Sequence, residues 1–469
     1  MSDFDLVVSG GRVITAASDG RCDIGIRGGR IAALGEGLRG RETLDADGLW
    51  VLPGGVDGHC HMDQPDYGGA RTADDYTSGT RSALCGGTTT IMTFAYQEKG
   101  RPIREAVDWT RERADARALI DFTHHLVIAD PTADVLHQEL PQLMAEGYTS
   151  FKIYLTYDSL KLDDRQVIRT LAAARREGAM VMVHAENSDA IDWLTEQLLL
   201  AGRTSVADMP ASRPLAVERE ATHRAIALSE IVGTPILVTH VSGGEAVEQI
   251  RWAQARGMRI FAETCPQYLF LTADDLGAPH FHGAKYLCCP PPRDAASQEA
   301  VWTGLRSGVF QVFSSDHSPY RFDGPDGKKV AGVGAHFDRV PPGVPGIETR
   351  LPLLFSEGVG KGRIDLQTFV NLTSTQPARL YGLFPRKGTI AVGADADLAL
   401  WDPARRVTIT AADLHSAVDY TPYEGREVTG WPVMTLSRGE VVWREGTVTA
   451  EPGRGRFLAC DRPMPMHSA

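Results

Sequence analysis

Four histidines, one lysine and one aspartate have the residue types of a metal site and recur in one local setting. They are His59 and His61 in PGGVDGHCHMD, Lys152 in FKIYLTY, His184 in VMVHAEN, His240 in LVTHVSG and Asp316 in FSSDHSP. Each ends or sits within a short apolar run that reads as a β-strand. Parallel strands closed into a barrel bring their ends to one rim. Six positions spread from 59 to 316 can therefore converge on one centre holding two ions.

The pair His59-x-His61 is a weak signal alone, since two solvated loop histidines would look the same. Its place after PGG and an apolar strand strengthens it, because side chains two apart on a strand share a face and can reach one ion. In SFKIYLTY the period is two, so Phe151, Ile153 and Leu155 face one way and Lys152, Tyr154 and Thr156 the other, toward a barrel axis. An unpaired ammonium there is costly to bury and is repelled by metals. Burial can also strip its proton, and a neutral amine can take up carbon dioxide to become an anionic carbamate able to bridge two cations. The strand alone favours a plainer reading, a lysine paired with an acid such as Asp316; the accompanying histidines reverse that balance. His184 and His240 at successive strand ends are hard to explain as core residues. Asp316 can bind a metal and handle a proton. The other histidines, including His124, His125, His280, His282 and His336, lack this placement, and His317 beside Asp316 carries little weight.

The elements that must position these residues follow from the alternation along the chain. From about Pro53, strand-like runs alternate with helical ones: TTTIMTFA with IREAVDWTRERADAR, DFTHHLVI with VLHQELPQLMAEG, SFKIYLTY with DRQVIRTLAAARREG. The series runs on through MVMVHAE, PILVTHVS, RIFAETC and VFQVFSSD. With VLPGGVDGHCH as the first strand, the count reaches the eight of a (β/α)8 barrel. Short strands with Gly-Gly and Asp-Gly punctuation precede it, and others follow it. This predicts an α/β chain in three stretches: 1–52 and 388–469 building one small β-domain, with 53–387 the barrel between them.

The bulk numbers exclude several classes. A net charge of -12 over 469 residues disfavours a nucleic-acid partner. The densest basic stretch, Arg111 to Arg117, is interleaved with Glu112 and Asp115, as on a solvated helix face. No apolar run approaches the roughly 20 residues a membrane helix needs, and the N-terminus lacks a secretory layout. The seven cysteines include no CxxC pair, which predicts free thiols and a cytoplasmic location.

Beyond the ligands, HCHMDQPDYGG, GGTTTI, EGYTSFKIYLTY, VHAENSDAIDWL, SRPLAVEREATHRAI, AETCPQYLFL, VNLTSTQPARLYGL and DYTPYEGREVTGWPV span nearly the whole chain. Together they resemble the amidohydrolase superfamily, and within it the hydantoinase and dihydropyrimidinase family. The resemblance implies a distorted (β/α)8 barrel with a β-sandwich formed by both termini, and a homotetramer. It implies two divalent metals, with zinc expected and manganese, iron, cobalt or nickel compatible. His59, His61 and Asp316 would bind the more buried ion, His184 and His240 the more exposed one, and carboxylated Lys152 both. The implied reaction is attack of a metal-bridging hydroxide on the amide carbonyl of a cyclic ureide or imide. Tyr157 would donate to the oxyanion, and Asp316 would pass the proton to the leaving nitrogen. The ring would be held by backbone groups of Cys289 and Pro342, where family members have Ser and Asn. Pro342 has no N–H, so one donor to a ring carbonyl is lost while its C=O remains, which points to a non-standard cyclic amide. Met62, Tyr67 and Tyr154 fall where the family's substituent pocket lies and suggest an apolar or aromatic exocyclic group.

Within the same chemistry, allantoinase and dihydroorotase are the alternatives. Met62-Asp63-Gln64 stands where relatives taking anionic rings place an Arg, which disfavours a carboxylate-bearing ring. A non-catalytic homologue with an assembly role would have lost metal ligands, yet all six positions and Tyr157 are intact. A metal-storage or regulatory module would leave Tyr157 and Asp316 without purpose.

Overall fold

The alternation through the middle of the chain produces eight parallel strands in sequence order: Gly55–Asp57, Thr88–Tyr96, Asp121–Val127, Ser150–Tyr154, Met180–His184, Ile236–Val238, Ile260–Thr264 and Val312–Phe313. The structure is a computed structural model and describes residues 4–66 and 68–463. The first and last strands meet through a bridge between Cys60 and His317. The Asp316 N–H donates to the His59 carbonyl (2.9 Å) and the His61 N–H to the His317 carbonyl (2.7 Å), so the sheet curls into a nearly closed barrel.

The period-two reading of Ser150–Tyr154 holds. Phe151 and Ile153 pack outward with Val167 and Leu171 of the helix Asp164–Glu177, whereas Tyr154 packs inward with Val56, Phe94 and Met182. That helix has clear punctuation. Asp163 and Gln166 form a capping box at its start, and Gly178 (φ +76°) closes it in the left-handed conformation that glycine adopts without strain. A cap of this kind stabilises a helix by about 1 kcal/mol.

The run VLPGGVDGHCH is not one strand. Trp50–Pro53 pairs antiparallel with Leu398–Thr408 in a terminal sheet, and the barrel strand begins only at Gly55. Gly54 makes the crossing: its N–H donates to the Asp397 carbonyl (2.9 Å), and a Cβ there would lie 2.2 Å from Thr89 Oγ1. His59 and His61 therefore stand beyond the strand end. This displacement frees both rings to turn into the barrel mouth.

Two further sheets hold the chain ends. Phe4–Ser9, Asp23–Arg27, Arg30–Gly35 and Gly40–Asp45 form one. The other joins Arg12–Ile14, Asp19–Arg21 and Trp50–Pro53 to Leu398–Thr408, Glu427–Ser437, Glu440–Arg444 and Thr447–Val448. Val8, Ile24, Ile26, Val51, Leu398 and Leu436 fill a common apolar cluster in these sheets. Residues 455–461 then run along the base of the barrel, where the Phe122 N–H donates to Arg456 O (3.0 Å) and the Cys460 N–H to Gly147 O (3.0 Å). No helix among the described residues is long and apolar enough to cross a membrane.

Candidate metal centre

All six singled-out side chains come together at the C-terminal mouth of the barrel, and all are buried. His59 and His61 follow the first strand, Lys152 lies in the fourth, His184 ends the fifth, His240 follows the sixth and Asp316 follows the eighth. Ligand atoms of His59, His61 and Asp316 lie within 4.8 Å of one another. Asp316 Oδ1 is 3.2 Å from His61 Nε2 and 3.3 Å from His59 Nε2. His184 Nδ1 and His240 Nε2 approach to 2.9 Å. Between the two groups, Lys152 Nζ lies 2.7 Å from His59 Nε2. Among the described residues no carboxylate comes within ion-pairing distance of Lys152, so the plainer expectation of a Lys152–Asp316 pair is not met.

The protonation states suit ligation. Burial, reinforced by neighbouring imidazoles and Lys152, holds His59 and His240 well below the ordinary histidine value. Burial also lowers His61 and His184, against the opposing pull of Asp316 and Glu186. Neutral imidazoles each carry one lone pair, the form in which histidine binds metals. His240 Nδ1 is buried without a hydrogen-bond partner. Burial also drives Lys152 down to about 8, which brings the free amine within reach near neutrality. Four neutral imidazoles, one carboxylate and an unpaired amine make a donor set that fits divalent metal ions.

Residues outside the sequence-level set hold these groups in place. Glu263 Oε1 meets His59 Nδ1 (2.7 Å) and accepts from the His240 N–H (3.1 Å). Glu186 Oε2 meets His184 Nε2 (2.8 Å) and accepts from Arg213 Nη1 (2.7 Å). Burial pushes Glu186 up, but Arg213 and His184 outweigh it and bring the carboxyl to about 2. Such carboxylates fix the tautomer and orientation of a metal-binding ring. Glu186 was legible in HAEN, two residues after His184 and so on the same side of an extended chain. Glu263 had only its strand-end position in AETC to mark it. His317, by contrast, is a structural pin: its Nε2 meets Asp74 Oδ2 (3.0 Å) and its Nδ1 accepts from the Gly346 N–H (3.1 Å).

Backbone strain gathers here too. Tyr157 (φ +66°), His240 (+38°) and Asp316 (+47°) occupy the left-handed region, at a cost of about 1–3 kcal/mol each for such residues. The Tyr157 ring stands edge-on to His184 at 5.3 Å, with the Arg213 guanidinium 5.6 Å from its centroid. Tyr157 shares a cavity lining with Cys289.

A cavity of about 440 Å³ opens over the cluster. Tyr154, Tyr157, Cys289 and Pro342 line it. Met62 does not; its side chain is buried against Gly79, where an added Cβ would lie 2.5 Å from Met62 Sδ. Tyr67 falls outside the described residues.

Residues 50–442 match the Amidohydrolase family. The D-hydantoinase of Geobacillus stearothermophilus is 46% identical over 456 residues, covering 96% of each chain. A crystal structure of a D-hydantoinase superposes with a TM-score of 0.95 at 43% identity, covering 97% of this chain and 99% of the other. The dihydropyrimidinase of Brevibacillus agri superposes at 0.94 with 41% identity, covering 97% and 98%.

Proposed function

Because the chain belongs to the amidohydrolase family, in its hydantoinase and dihydropyrimidinase branch, we propose that it opens the ring of a cyclic ureide or imide by metal-assisted hydrolysis. The observation that carries this reading is the convergence of four neutral imidazoles, Asp316 and a buried lysine with no acid at ion-pairing distance beneath one cavity. His59, His61 and Asp316 would hold one divalent ion, and His184 and His240 a second, with zinc the expected metal. Lys152 would bind both as a carbamate, formed when its free amine adds to carbon dioxide, making an N–C bond and releasing a proton. Ions in that cradle would supply Lewis acidity, which ionises water near neutrality and polarises an amide carbonyl.

The protein groups then divide the remaining work. Asp316 takes the proton of the attacking water and returns it to the leaving ring nitrogen. Gln267 Nε2, 3.4 Å from Asp316 Oδ2, steadies that carboxylate. The Tyr157 hydroxyl, in the lining of the same cavity, donates to the oxyanion as charge develops. Glu186 and Glu263 keep the imidazoles from rotating, and Tyr154 offers an aromatic face to an exocyclic substituent. Cys289 and Pro342 face the ring through their backbone. A hydantoin or dihydropyrimidine would yield an N-carbamoyl amino acid.

The division into 1–52, 53–387 and 388–469 is proposed on the same footing, as is a homotetramer. Seven unpaired cysteines support a reducing, cytoplasmic setting. The test of the activity is ring opening of hydantoin and dihydrouracil by the zinc-loaded protein, followed by chromatography of the carbamoyl product. Turnover should vanish on chelation and return with metal. A protein that binds two ions yet opens no cyclic amide would overturn the proposal.

A further inference from the structure

One wall of the cavity is supplied by Cys288 and Cys289 on one segment and by Pro342 and Gly343 on another. Behind it lies a second buried lysine. Lys328 is 1% exposed, and its Nζ donates to the carbonyls of Leu287 (3.1 Å), Pro341 (2.8 Å) and Gly343 (2.6 Å). Three ammonium protons meet three acceptors, drawn from both segments. Among the described residues no carboxylate pairs with Lys328, so these carbonyls are its hydrogen-bond partners against a burial that pushes it down to about 7.

The same bonds decide what the wall can offer a ligand. Pro341 and Pro342 have no N–H, and the Gly343 N–H is taken by the Leu287 carbonyl (2.8 Å). Residues 341–343 therefore have no free backbone donor. Of their three carbonyls, two are held by Lys328, and that of Pro342 is the one left without a protein partner among the described residues. Gly343 seals the arrangement: its φ is +143°, and a Cβ there would lie 2.4 Å from Ser318 Cβ. The segment is pinned on one side by an ammonium and on the other by close packing.

We infer that Lys328 is a positioning residue for ring recognition: it fastens both backbone segments and leaves the Pro342 carbonyl as a fixed acceptor that reads a ring N–H outside the scissile amide. This rests on the proposed cyclic-amide activity and adds to it a rule for choosing among rings. A cyclic ureide has a second ring N–H to give such an acceptor, whereas a ring with carbon at that place has none. A ring carbonyl turned toward Pro342 would meet another carbonyl.

The test pairs substrate and protein changes. Hydantoin and 1-methylhydantoin are compared as substrates of the wild-type protein, Lys328→Met and Lys328→Gln, with metal content and Tm measured for each. In the wild-type protein, methylation should raise KM about tenfold and leave kcat within a few-fold. In Lys328→Met, KM for hydantoin should rise to the methylated level and the methylation penalty should disappear, with metal content retained. Lys328→Gln, which keeps an N–H donor, should fall between and carries the comparison if Lys328→Met does not fold. An unchanged methylation penalty in the variants overturns the inference, as does a fall in kcat, metal content and Tm together without a change in KM. A wild-type protein that opens neither ring defeats the proposed activity; one that opens both with equal KM defeats this inference alone.

Discussion

The two ends of the barrel each bury a lysine, and the surroundings differ in the one respect that matters. At the base, Lys387 is 1% exposed and lies 2.7 Å from Asp121, 3.1 Å from Asp395 and 2.7 Å from Asp397. Asp121 begins a barrel strand, whereas Asp395 and Asp397 precede the first C-terminal strand of the sheet that both chain ends share, so the ammonium ties sheet to barrel. At the mouth, Lys152 is equally buried but faces imidazoles, and the rings of Phe94 and Tyr154 lie 4.5 and 5.1 Å from its Nζ. A charge surrounded by carboxylates is part of the structure. A buried amine that none of them pairs directly is held ready for chemistry, because burial outweighs the pull of Asp316 and Glu263 and favours its neutral, nucleophilic form.

Replacing each lysine by methionine should therefore have opposite consequences. Lys152→Met should lower kcat by about 10³-fold or more and reduce bound metal, since the donor proposed to serve both ions would be gone. Its Tm without metal should hold or rise, because an uncompensated buried amine is removed. Measuring kcat, metal per chain and Tm on one preparation decides this, and a fully active Lys152→Met would erase the contrast. Lys387→Met should cost about 3–5 kcal/mol of stability, read as a fall in the urea midpoint, because Asp397 loses its ion-pair partner while Asp121 keeps Arg438 and Asp395 keeps Arg30 and Arg386. Activity per folded molecule should be unchanged. If Lys387→Met instead lost activity at full stability, the base would be coupled to the chemistry at the mouth.

The smallest effect sharpens the comparison at a half-buried pair. His415 Nδ1 lies 2.8 Å from Glu348 Oε1, and that bond raises the histidine above its ordinary value of 6.5. A group raised on folding contributes stability that is fully present below its unfolded value and is lost as pH climbs through the folded one. His415→Ala should thus destabilise more at about pH 5.5 than at about pH 9, by less than about 1 kcal/mol. Equal urea midpoint shifts at both values would remove the pair from the stability account.

Some features were legible locally and others were not. The helix over residues 103–117 and the alternation in SFKIYLTY could be read because a period of 3.6 or 2 is a property of neighbours in sequence. The break at Gly54 could not, since it depends on Thr89 and Asp397, which come close only after folding. Residues 455–461 give no sign in their composition that they line the barrel base. At the site, the metal-type side chains announced themselves by residue type at strand ends, while Glu263, Arg213 and Lys328 are common residues whose importance comes from what they touch.

By itself, the sequence determined the donor set, the barrel that gathers it and, through Pro341 and Pro342, the lack of backbone donors at two successive positions. Those follow from residue chemistry and short-range periodicity, which every segment carries with it. Only the tertiary structure decided that Lys152 has no acid at ion-pairing distance among the described residues, that Lys387 has three, and that Lys328 holds two distant segments by their carbonyls. Such facts are distances between groups far apart in the chain, and a distance of a few ångströms decides whether a buried charge is paired, neutralised or used.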